Sequence, residues 1–156
     1  MCCGQPHATM SQVNLIKKVM FMNYVNLAAA ALDAMEMSYS PYSKFRVGAA
    51  LLTKSGKAYM GCNIESAAYS PTNCAERTAL FKAVSEGERE FSAIAVAGAP
   101  ESGEPQYCYP CGVCRQMLKE FLSDDCDVII VKTAGDYKIH KFGEILPFGF
   151  GAENLI

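Results

Sequence analysis

Runs of lysine and arginine are missing from this chain, and with them the means of holding a phosphate backbone, whose neutralisation by basic side chains supplies most polynucleotide affinity. Its 14 basic and 16 acidic residues leave a formal net charge of -2, so a small uncharged substrate fits better than nucleic acid. No apolar stretch approaches the roughly 20 residues that span a bilayer, which argues against a membrane partner. The opening Met1-Cys2-Cys3-Gly4-Gln5-Pro6-His7 has neither a basic n-region nor an apolar h-region, so nothing indicates export and a cytoplasmic location is expected. Histidine is scarce, and both His7 and His140 read as ordinary histidines.

Cysteine, by contrast, is abundant. Eight cysteines in a compartment that keeps thiols reduced point to metal ligands before a disulfide framework. Cys2, Cys3, Cys62 and Cys126 read as inert or surface thiols. With 156 residues at 51% hydrophobic composition, the chain suits one domain, since about 150 residues bury roughly 68–70% of their unfolded surface. Residues 1–12 are polar and aperiodic and read as a poorly ordered extension. Residues 13–156 form the single domain.

Within that domain, apolar residues recur at helical spacing from a cap at Ser11 to about Met37. The segments 47–52 and 57–61, separated by Lys54-Ser55-Gly56, predict a β-hairpin. Asn73 is placed to cap a helix starting at Cys74 and ending near Gly87. A buried strand over 92–99 follows, then a helix opened by Cys111 and a strand over 128–132. The link 133–136 is too short for a crossover helix, so a fifth strand over 137–142 must run antiparallel to the fourth. The order α-β-β-α-β-α-β-β implies a three-layer α/β/α fold with one mixed five-stranded sheet.

The chemistry concentrates in Cys74-Ala75-Glu76 and Pro110-Cys111-Gly112-Val113-Cys114. Cys111 and Cys114 share one helix face a turn apart, and Cys74 and Cys111 lie where the positive ends of two helices favour thiolate. Three protein ligands leave one position of a zinc tetrahedron open, the mark of a catalytic rather than structural site. Glu76 lies near the metal without being bound to it. A His-or-Cys, x, Glu element followed by Pro-Cys-x-x-Cys is the pattern of zinc deaminases. Three thiolates on Zn²⁺ sum to -1, and Arg77 is placed to offset that charge by donating to ligand sulfurs. Two other metal readings compete. Cys108-x-x-Cys111-x-x-Cys114 resembles the start of a ferredoxin run, but Met117 and Leu118 occupy the required Cys and Pro positions. Cys108 could instead close the tetrahedron and make the site structural.

Taken with Cys74-Ala75-Glu76-Arg77-Thr78-Ala79 and Pro110 to Gln116, the stretches Pro41-Tyr42-Ser43-Lys44-Phe45 and Gly61-Cys62-Asn63-Ile64-Glu65 make residues 24–155 resemble the small homotetrameric, zinc-dependent cytidine deaminases. The resemblance implies hydrolysis of cytidine and deoxycytidine to uridine and deoxyuridine, with release of ammonia, in pyrimidine salvage. One Zn²⁺ per subunit on Cys74, Cys111 and Cys114 activates water, and Glu76 shuttles the protons. Asn63 and Glu65 hold the ribose 3′-hydroxyl, while Ala67 and Tyr69 belong to the segment lining the nucleoside pocket. A carboxylate at Glu65 repels a phosphate at the same point, selecting nucleoside over strand. Phe45 and Phe150 match positions flanking the pyrimidine, the second across a subunit boundary, although core packing explains each nearly as well. Two features depart from the family pattern: the long loop Glu101 to Tyr109, and Phe148 where small residues are usual. A polynucleotide-editing deaminase would bring basic surface and a helix between the last two strands, and a deaminase of blasticidin S has less use for Glu65.

Overall fold

The computed structural model describes residues 24–155. Within them runs a five-stranded sheet in the order β2-β1-β3-β4-β5, built from β1 (Phe45–Thr53), β2 (Ala58–Cys62), β3 (Phe91–Pro100), β4 (Asp127–Thr133) and β5 (Asp136–Lys141). The sheet is mixed, with β3 and β4 parallel and every other neighbouring pair antiparallel. The hairpin β1–β2 and the antiparallel β4–β5 pair stand where the tight turn and the short link put them.

Helix α1 spans residues 24–35 and ends in a turn; its expected start at Ser11 and the expected extension over 1–12 lie outside the described residues. Helix α2 covers Ala75–Ser85, α3 Gly112–Leu118 and α4 Phe142–Ile145. The last of these, and a 3₁₀ turn at Ala152–Asn154, are too short to leave a periodic trace in the sequence. Two boundaries differ from expectation. The cap of α2 is Cys74 itself, with no side-chain cap bond, because Asn73 is already engaged in a backbone bridge with Ile64 and donates through Nδ2 to Thr78 Oγ1 at 3.1 Å. Phe142, expected at the end of β5, instead begins α4 and is fully buried.

Period-two alternation divides each central strand between two cores. One core, under α2 and α3, takes Ala49 and Leu51 from β1, Ile94 and Val96 from β3, and Val128 and Ile130 from β4. The other, under α1, takes Ala93, Ala95, Ala97 and Ala99 from β3 with Ile129 and Val131 from β4. The alanine stripe gives α1 room to sit close. Gly48 shows how close: a Cβ there would lie 2.1 Å from Ala31 O and 2.3 Å from Met35 N. On the opposite face a Cβ at Gly61 would lie 2.4 Å from Ala79 N and 2.6 Å from Ala75 O. The backbone of α2 therefore rests directly on β2, which fixes the height of its first turn, where Cys74 and Glu76 sit.

Candidate metal centre

Cys74 and Cys111 occupy the N-cap positions of α2 and α3, both in extended backbone conformation and neither making a side-chain cap bond. Their thiols are thus free to turn toward each other, and the two sulfurs stand 3.8 Å apart. Cys114, one turn into α3 and fully buried, completes a group whose three sulfurs all lie within 4.8 Å of one another. A tetrahedral zinc with Zn–S bonds of about 2.3 Å spaces its sulfurs by about 3.8 Å. The donor set fits that ion. Without a cation the cluster is frustrated, because three thiols and a buried acid share one small volume. The Cys74 thiol is pushed down, first by the hydrogen bond from Cys114 and then by Arg77 and Cys111, while Cys114 is pushed up by the same bond and by burial. Among the described residues this is the one group of three or more potential ligands. Cys108 is not part of it, so among the described residues no fourth sulfur of a closed structural site is supplied.

Glu76, the second residue of α2, is 3% exposed. Burial, more than any neighbour, raises its carboxyl to about 7, with the Cys74 charge acting in the same direction and Cys114 and Arg77 opposing it. A carboxyl at that value gives and takes protons with comparable ease near neutral pH. Arg77 reaches back along the helix, its Nη2 lying 3.8 Å from Cys74 Sγ and 3.2 Å from Thr72 O, as expected of a group that offsets thiolate charge. Arg115, not singled out by the sequence, ties the other ligand loop down: its Nε donates to Pro110 O at 2.7 Å and its Nη1 to Ile145 O at 2.8 Å. Its one sequence signal was its place directly after Cys114.

Two of the residues read as substrate-binding, Asn63 and Glu65, are tied to the segment that leads into β1. Asn63 is 8% exposed; its Oδ1 accepts from Val47 N at 2.8 Å and from Ser38 Oγ at 2.5 Å, and its Nδ2 donates to Phe45 O at 2.9 Å. This amide thus locks the end of β2 to the start of β1 and leaves one N–H for a ligand. One oxygen of Glu65, Oε2, accepts from the backbone N–H groups of Tyr42 and Ser43 at 3.0 and 3.1 Å, and the Ser43 hydrogen bonds hold its carboxyl below the usual range. Tyr42, Ser43, Glu65, Ser66, Tyr69 and Thr72 line a cavity of about 270 Å³. The amides of Tyr42 and Ser43 escaped sequence reading, since a backbone group carries no residue signature. Phe45 is half-buried, whereas Ala67, Tyr69 and Phe150 stand at the surface of the single chain. Lys44, Tyr69 and Phe148 adopt left-handed backbone, with φ of 56, 58 and 56°. Such conformations are costly for bulky residues and gather at binding sites.

Residues 3–131 match the family described as the cytidine and deoxycytidylate deaminase zinc-binding region. The chain belongs to this family. The cytidine deaminase of Sporosarcina psychrophila is 47% identical over 134 residues, which are 86% of this chain and 96% of that protein. That of Halalkalibacterium halodurans is 47% identical over 129 residues, 83% of this chain and 95% of its own length. Among solved structures, the cytidine deaminase from Burkholderia pseudomallei superposes with a TM-score of 0.73 at 45% identity, covering 80% of this chain and 97% of that one. The family is zinc-binding, in agreement with the sulfur geometry, and the shared fold is the mixed sheet with helices on both faces.

Proposed function

We propose that this family member hydrolyses cytidine and deoxycytidine to uridine and deoxyuridine, releasing ammonia, as a step of pyrimidine salvage in the cytoplasm. The observation that carries the reading is a buried carboxyl, Glu76, in the same helical turn as one of three clustered cysteines. Cys74, Cys111 and Cys114 would hold one zinc ion per chain, which supplies Lewis acidity that activates water at neutral pH. Glu76 accepts the proton of the attacking water, delivers it to ring N3 as C4 becomes tetrahedral, and then assists protonation of the departing amine. Arg77 offsets the thiolate charge beside it. Asn63, through its free amide N–H, and Glu65, through Oε1, take the ribose 3′-hydroxyl, a buried group that needs both a donor and an acceptor. Ala67 and Tyr69 close the sugar end.

The chain's ionic balance and the fixed charge at Glu65 favour a free nucleoside over a strand. Ammonia release from cytidine and deoxycytidine, set against a single-stranded oligonucleotide and blasticidin S, tests this directly. Turnover confined to the nucleosides is expected, and deamination of the oligonucleotide at a comparable rate would overturn the reading. Among the described residues no helix is long and apolar enough to cross a membrane.

Phe45 and Phe150 flank the base, Phe150 from a neighbouring subunit of a homotetramer. Support comes from the C-terminal segment, where Phe148 is 106% and Phe150 55% exposed, an apolar surface that a single chain leaves to water. The Phe150 carbonyl accepts from Gln116 Nε2 at 2.7 Å, which presents the segment outward from α3. Dilution until the assembly dissociates is expected to abolish turnover reversibly; a monomer with full specific activity would refute the shared site.

A further inference from the structure

The long loop after β3, a departure from the family pattern, ends in an extended stretch whose alternate side chains go to opposite sides. Gln106 pairs with Gly98, its N–H donating to Gly98 O at 2.8 Å. Tyr107 and Tyr109 both turn toward β5. The Tyr107 hydroxyl donates to Asp136 Oδ1 at 2.6 Å and its ring lies 4.2 Å below Lys138 Nζ; Tyr109 packs on His140 with ring centroids 5.5 Å apart. Two anchors on one side force Cys108, between them, to the other.

There Cys108 fills a notch made by a glycine. Gly98 alternates with Ile94 and Val96 on the face of β3 that carries α2 and α3, and a Cβ at that position would lie 2.7 Å from Cys108 Cβ, 2.8 Å from its Sγ and 3.0 Å from Phe45 Cε1. Cys108 and Phe45 are therefore neighbours over bare backbone, brought together from a loop and from β1. Cys108 is also close enough to Glu76, Cys74 and Cys111 to feel their charges. It is thus a direct neighbour of the aromatic assigned to the base and lies in the vicinity of the metal centre.

We propose that Cys108, seated against Gly98 beside Phe45, is a specificity-determining residue whose small side chain forms the wall facing position 5 of the pyrimidine ring and sets the size of substituent accepted there. The inference rests on the deaminase reading above. With C4 at the reacting centre, N3 and the exocyclic amine engaged by Glu76, and N1 carrying the sugar, position 5 is the neighbour of C4 that presents only C–H. Cys108 is partly buried against Gly98, so it meets the ring as a small side chain with a polarizable sulfur. That suits a C–H edge and not a polar one.

The test compares kcat/KM for 5-methylcytidine and cytidine in the parent, Cys108→Ala and Cys108→Met, with zinc content and circular dichroism confirming the fold of each. One methyl group in a shaped pocket is worth about tenfold or more. Cys108→Ala is expected to raise the 5-methylcytidine to cytidine ratio about tenfold, and Cys108→Met to lower it about tenfold. A ratio unchanged in the alanine variant, folded and zinc-loaded, overturns the proposal even if the methionine variant fails to fold. A parent enzyme inactive on cytidine would count instead against the deaminase reading itself.

Discussion

Glu76→Gln is expected to lower kcat for cytidine by about 10²–10⁴-fold or more, since general acid–base catalysis contributes about that much for a single transfer and this one carboxyl serves several. Glutamine keeps the shape and the hydrogen-bonding reach of the side chain while removing its capacity to carry a proton. The fold has no reason to suffer. Glu76 is 3% exposed, and holding an acid in that environment costs stability that a neutral amide does not. The melting temperature should therefore stay level or rise, and zinc should remain bound. Steady-state rates, metal analysis and a thermal melt on one preparation check all three. A variant that turns over cytidine within a few-fold of the parent would remove Glu76 from the chemistry.

Cys114→Ser is expected to strip the metal. Cys114 lies fully buried between Cys74 and the core, so its sulfur cannot be replaced by water or by an exposed neighbour, and a serine hydroxyl is a far poorer partner for zinc than a thiolate. Zinc content should fall from about one per chain toward none, with activity falling in parallel. Stability should drop as well, because an ion bound only to the native state at about 100 times its dissociation constant contributes about 2.7 kcal/mol. Cys108→Ser provides the contrast. Its sulfur lies outside the three-cysteine group, so zinc content should not change. If Cys108→Ser also emptied the site, the centre would be a closed four-sulfur one and the catalytic reading would fall.

The two experiments address different layers of the site. On the proposed mechanism Glu76 acts through a proton on a carboxyl oxygen, which backbone position alone cannot replace. Cys114 would act through geometry, since its place in the first turn of α3 brings its sulfur to Cys74. Both depend on α2 and α3 being held at fixed heights over the sheet, α2 by its contact with Gly61 and α3 by Arg115 spanning Pro110 and Ile145. Substitutions at those supports should show up as weaker metal binding before any change in the chemistry.

Much of this was legible in the residues themselves. The apolar runs 92–99 and 128–132, the hairpin at Lys54-Ser55-Gly56 and the short link 133–136 specify a mixed sheet, because apolar runs and turn length are local quantities. The three cysteines and Glu76 were equally plain, since Cys-x-Glu and Cys-x-x-Cys at helix starts place ligands by helical geometry alone. Asn73 reads locally as the cap of α2, but nothing local shows that its backbone and amide are engaged by Ile64 and Thr78. Arg115 and the amides of Tyr42 and Ser43 were missed for the same reason: their partners lie far along the chain or are backbone atoms without a residue signature.

The sequence by itself determined the order of elements, the antiparallel sense of the last two strands and the choice of Cys74, Cys111, Cys114 and Glu76 as candidate metal-binding and proton-carrying side chains. Only the tertiary structure decided that Cys108 stands apart from the other three sulfurs, that Asn63 spends most of its hydrogen-bonding capacity on Phe45, Val47 and Ser38, and that Gly98 leaves a notch for Cys108 and Phe45. The physical reason is separation along the chain: each of these depends on close approach between segments remote in sequence, and spacing within one element carries no record of what a neighbouring element places against it.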